Sequence, residues 1–156
     1  MKIDAEQNPA VCGKYISSIY RKSGEHLAQE LKKIGLTTVK SILLVGLYRN
    51  EGTNQCALAA KLSLDTAAAS RGLRTLELEG MIRKEVDEAN RRNFKVFLTE
   101  AGRLKAEESL TAQERYWKTV LKPLGENGTE LFNDLLRQLQ DSISAFSADD
   151  ERNDAD

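Results

Sequence analysis

Asn54 to Gly102 read NQCALAA KLSLDTAAAS RGLRTLELEG MIRKEVDEAN RRNFKVFLTE AG, and the fold turns on this stretch. Asn54 suits the cap of a short helix ending near Leu62. Ser63-Leu64-Asp65 makes a turn, and Asp65 caps a second helix that stops at Gly80. In that helix Ala69, Leu73 and Leu76 recur at the spacing of a buried face. Thr66, Ala67, Ser70, Arg71 and Arg74 fall on the opposite side, where small and cationic side chains can approach a major groove. An ordinary solvated face has the same composition, so the helix by itself leaves both readings open. Gly72 costs that helix roughly 0.8–1 kcal/mol relative to Ala, and nothing in the sequence accounts for it. Met81–Val86 and Phe94–Thr99 are runs of branched and aromatic residues that predict a hairpin. The loop between them, Asp87 to Asn93, holds four charges, among them Arg91 and Arg92. A helix-turn-helix followed by such a hairpin predicts a winged helix. Arg91 and Arg92 are then candidates to enter a narrow minor groove.

Outward from this stretch the chain is helical. Thr99 caps a long helix that runs to about Leu121 and breaks near Pro123. Glu126-Asn127-Gly128-Thr129 reads as a loop and cap. The last helix after it carries Leu131, Phe132, Leu135, Leu136, Leu139, Ile143 and Phe146. Upstream, Ile16, Ile19, Tyr20, Leu27, Leu31 and Ile34 mark a helix from Val11, and Gly35 suits its stop. Thr37 caps a helix to Arg49 in which Val39, Ile42, Leu43, Val45 and Leu47 crowd so closely that most sides must be buried. The first and last helices offer more apolar surface than one winged helix can cover. Such surplus marks a partner, unless the two cover each other. The expected fold is mainly α with a small β wing: a winged helix-turn-helix at 37–102, flanked by dimerisation helices at 11–36 and 103–147. Residues 1–10 are expected to be flexible, and 148–156 to form a disordered acidic tail.

Composition narrows the function. The 156 residues suit one domain with a real core. No apolar run reaches the roughly 18 residues of a membrane span, and residues 1–9 lack the form of a secretory leader. Two cysteines, Cys12 and Cys56, make no disulfide framework, and a reducing cytoplasm is the simplest compartment. No Ser/His/Asp arrangement, phosphate-cradling Gly loop or paired-acid motif stands near the single histidine, His26, so an enzyme is not expected. One histidine and two separated cysteines do not make a metal set, and no cofactor is implied. Net charge is −1 but uneven. Residues 37–100 carry ten Lys/Arg against eight Asp/Glu, and residues 101–156 seven against twelve. That excess is too weak to reveal a nucleic-acid partner by composition. It leaves open a winged-helix interaction module without DNA affinity.

From about Val11 to Phe146 the chain resembles the MarR family of bacterial transcriptional regulators. LELEGMIRK is similar to the stretch that ends the family's recognition helix, and LAAKLSLD to its positioning helix and turn. DEANRRNFKVFLTEAG resembles its wing, with Asp87, Arg92, Leu98, Thr99 and Gly102 in agreement. Ala89 stands where the family often has Arg, and Asn90 where it usually has Asp. The resemblance implies a homodimer formed by the first, fifth and sixth helices, with each recognition helix in the major groove and each wing in the minor groove of double-stranded DNA. It also implies release by a small phenolic or lipophilic effector, or by oxidation of a cysteine. Relatives that sense organic hydroperoxides carry a reactive cysteine close to the position of Cys12, near the start of the first helix. A helix N-terminus favours the thiolate, and Tyr15 and Tyr20 are near in sequence. The competing reading of Cys12 is a small buried hydrophobe, and Cys56 reads as packing.

Overall fold

A computed structural model of the chain describes residues 9–87 and 94–153. Helix α1 spans Pro9–Lys33 and α2 Thr38–Arg49. A two-residue strand β1, Thr53–Asn54, leads directly into α3, Gln55–Lys61, and then α4, Thr66–Leu78. Strands β2, Ile82–Val86, and β3, Phe94–Leu98, form the hairpin. Helix α5 covers Glu100–Leu121, a 3₁₀ turn Lys122–Leu124, and α6 Gly125–Asn153. This is the expected winged helix with flanking helices.

The starts of α2, α3 and α4 are capped as their sequences dictate. The side chains of Thr37, Asn54 and Asp65 accept hydrogen bonds from the backbone N–H groups of Lys40, Ala57 and Ala68. Each satisfies a donor that the first helical turn would otherwise leave without a partner. The sheet has the antiparallel order β1-β3-β2. Strand β1 was not expected. Thr53 pairs with Val96 and Asn54 with Lys95, so one residue both belongs to the sheet and caps α3. The wing is therefore joined to the helix-turn-helix by backbone hydrogen bonds.

The chain forms two compact units, 1–115 and 116–156. In the first, Leu43, Leu44, Leu47, Leu58, Ala69, Leu73, Leu76 and Ala106 are fully buried, together with Ile82, Val96 and Leu98 from the hairpin. Gly72 belongs to this packing. A Cβ there would lie 2.5 Å from Leu43 Cδ1 and 3.1 Å from Val39 Cγ1, so glycine lets α4 approach α2 closely. Ser41 and Ser109 share a buried hydrogen bond of 2.7 Å that joins α2 to α5.

In the second unit no residue from 116 to 145 is buried, so the segment has no core of its own. Glu126 to Thr129, read as a loop, lie inside α6. The 3₁₀ turn with Pro123 and the positive φ of Gly125, +66°, already interrupt the helical run, and α6 starts at once. Helix α6 also passes residue 148, the expected start of the tail, and no Gly or Pro between there and Asn153 stops it.

Candidate nucleic-acid interface

Helix α4 is two-faced. Ala69, Leu73 and Leu76 hold it to the core at 0% exposure, while Thr66, Ala67, Ser70, Arg71 and Arg74 are all exposed. The acids on the same helix are neutralised: Glu77 pairs with Lys84 of β2, and Glu79 with Lys40 of α2. Among the described residues no acid pairs with Arg71 or Arg74. Arg71 and Arg74 thus add positive charge to the exposed face of α4. Neither ion pair was legible, because each joins α4 or its end to a different element, α2 or β2, that meets it only in the fold.

The base of the wing explains the run Leu98 to Gly102. Leu98 is buried. The Thr99 hydroxyl donates to the Gly80 carbonyl at 2.7 Å and accepts from Gly102 N–H at 3.1 Å, capping α5. Thr99 N–H donates to the Met81 carbonyl at 3.0 Å. A Cβ on Gly102 would stand 1.9 Å from that carbonyl oxygen, so only glycine fits. Glu51, in the turn before β1, accepts from Leu98 N–H at 3.3 Å and from Arg103 at 2.9 Å. Arg103 lies over the Tyr48 ring, and the Tyr48 hydroxyl donates to Glu107 at 3.1 Å. That acceptor, and then its negative charge, raise the Tyr48 pKa above its usual value. Arg91 and Arg92 lie outside the described residues.

Away from this face, Tyr15, Ile16, Ile19 and Tyr20 of α1 are exposed, as are Leu131, Leu135, Leu136, Leu139 and Ile143 of α6. Cys12 is exposed rather than buried, because the first turns of α1 lie beyond the core, and Cys56 is exposed rather than packed. Only Leu58 and Ala59 of α3 are buried, and Cys56 precedes them on its open side. An open groove of about 460 Å³ is lined by Ile34, Leu104, Glu107, Glu108, Thr111, Ala112 and Arg115. Glu30 of α1 accepts from Lys33 and from Arg115, the latter at 3.0 Å, and these cations hold its carboxyl below its ordinary pKa. Among the described residues no three His, Cys, Asp or Glu side chains gather as a metal set, and no helix is long and apolar enough to cross a membrane.

A two-faced helix after a short positioning helix, with a hairpin beside it, defines the winged-helix class of DNA-binding proteins. The chain belongs to the MarR family, whose sequence profile matches residues 36–94. It is 30% identical over 114 residues to the helix-turn-helix-type transcriptional regulator YdgJ of Bacillus subtilis (strain 168), covering 73% of this chain and 70% of that one. Solved structures share the fold, among them two regulators. A MarR-family regulator from Listeria monocytogenes, complexed with a 26mer DNA, matches with TM-score 0.77 and 27% identity over 85% of this chain and 88% of that one. A MarR regulator from Methanosarcina mazei Go1 matches with TM-score 0.77 and 25% identity over 87% and 99%. Members of this family are transcriptional regulators rather than enzymes, and so is this chain.

Proposed function

We propose that the protein is a homodimeric repressor that binds pseudo-palindromic duplex DNA and is released by a small aromatic or lipophilic effector. The observation that carries this is the exposed face of α4, where Arg71 and Arg74 stand without acidic partners among the described residues. Residues 37–102 are the DNA-binding region, with Thr66, Ala67, Ser70, Arg71 and Arg74 in the major groove and Arg92 or Arg91 in the minor groove. The DNA held by the Listeria relative supports the same use of the fold. The exposed apolar residues of α1 and α6 support a dimer made by 11–36 and 103–147, since such stripes are costly to leave in water. The groove beside Leu104 and Ala112 is the candidate effector site.

Selection from random duplex DNA tests this reading. Enriched sequences should contain two inverted half-sites about one helical turn, roughly 10 bp, apart. Enrichment of a lone half-site counts against the dimer. No enrichment, with only weak retardation at low salt, leaves an interaction module. A thiol-based release is favoured by one observation, the exposure of Cys12. Release of DNA by an organic hydroperoxide in the wild type and Cys56→Ser, but not in Cys12→Ser, would establish it.

A further inference from the structure

In the hairpin, Ile82 faces Leu98, Lys84 faces Val96, and Val86 faces Phe94. Directly opposed residues share a face and alternate ones return to it, so all six lie on one side. Ile82, Val96 and Leu98 are buried, and Lys84 reaches Glu77 of α4 from the same side. The outermost pair overhangs the core: Val86 is 53% and Phe94 50% exposed. On the other side Arg83 pairs with Glu85, and Lys95 with Asp87. The hairpin therefore turns its apolar end, together with Lys84, toward the side of α4, and Arg83, Glu85 and Lys95 away. Leu78, one turn beyond Arg74 on α4, is also exposed.

We propose that Val86 and Phe94 form a DNA contact, packing against the deoxyribose carbons of the backbone strand that passes between α4 and the wing. This rests on the reading of α4 as the major-groove helix. If α4 fills the major groove and the hairpin meets the adjacent minor groove, the sugar–phosphate strand dividing the grooves crosses the space between them. The surface facing that strand is poor in free charge, because Lys84 is committed to Glu77. It offers a phosphate little and offers the carbons of a sugar two half-exposed apolar side chains. The contact continues the cationic face of α4 onto the wing and supplies attraction that salt does not screen.

The test uses the full chain, the duplex recovered by selection and a scrambled duplex, with anisotropy titrations at several salt concentrations. Wild type must prefer the selected duplex; without that preference the DNA reading itself falls, and this contact with it. Burying the exposed half of a phenylalanine corresponds to roughly tenfold in affinity. Phe94→Ala should therefore bind about tenfold more weakly at every salt concentration, with the slope of log affinity against log salt unchanged, since no phosphate loses a cation. Phe94→Lys, at the same exposed position, should steepen that slope by about 0.9 for each phosphate it newly meets. Far-UV circular dichroism should match wild type for both. Wild-type preference with undiminished affinity in Phe94→Ala, an unchanged slope in Phe94→Lys, or a shallower slope in Phe94→Ala each overturns the proposal.

Discussion

Gly102→Ala sets helix propensity against packing. In a helix interior Ala is favoured over Gly by about 0.8–1 kcal/mol, so propensity expects a gain. The structure reverses the sign. The new Cβ would lie 1.9 Å from the Met81 carbonyl oxygen and 2.9 Å from its carbon, whereas even close carbon–oxygen contacts are about 3.3–3.6 Å. The obstacle is backbone, and the same carbonyl accepts from Thr99 N–H. Relief requires α5 to move away by more than about 1 Å. That movement strains the Thr99 bonds to Met81 and Gly80, at about 0.5–1.5 kcal/mol each, and weakens a helix cap worth about 1 kcal/mol. Together these come to about 2–4 kcal/mol, and propensity returns about 1. A net loss of about 1–3 kcal/mol is expected, lowering Tm by roughly 3–10 °C for a chain of this size. Thermal and urea unfolding should be compared at one fixed protomer concentration, because dimerisation contributes to stability. An unchanged or higher Tm would refute the argument and show that Met81 yields without cost.

Arg71→Ala should cost about 1–3 kcal/mol of operator binding and relax the preference at one base position if Arg71 reads a base, or weaken all duplexes alike if it holds a phosphate; parallel titrations on single-base operator variants separate these. Leu135→Glu with Leu139→Glu, both at exposed positions of α6, should shift sedimentation from dimer to monomer, and a persisting dimer would place the interface elsewhere. Glu30 has a folded pKa below its ordinary value of 4.5, chiefly through the Lys33 hydrogen bond and then Arg115. Its contribution to stability is present above the unfolded pKa and lost as pH falls through the folded one. Urea midpoints measured from pH 7 to pH 3 should therefore fall less steeply below about pH 4.5 in Glu30→Gln than in wild type.

Much of the fold is written locally. Thr37, Asn54 and Asp65 cap their helices through bonds to N–H groups three residues on, and the spacing of Ala69, Leu73 and Leu76 fixes the buried side of α4. These features depend on neighbours within a turn or two, so the order of residues determines them. The exposed cationic face of α4 follows from the same periodicity. The sequence could not say that Lys40 and Lys84 neutralise Glu79 and Glu77, because those partners meet only when α2 and β2 pack against α4. Nor could it explain Gly72, whose missing Cβ makes room for Leu43 and Val39 of another helix. Strand β1 is too short to show a period and forms only because β3 lies beside it. Phe94 alternates with Val96 and Leu98 as a buried residue would, yet half of it is exposed. Periodicity determined which face of the hairpin Phe94 occupies; how far the core extends beneath that face was decided by helices distant in the chain, through tertiary packing.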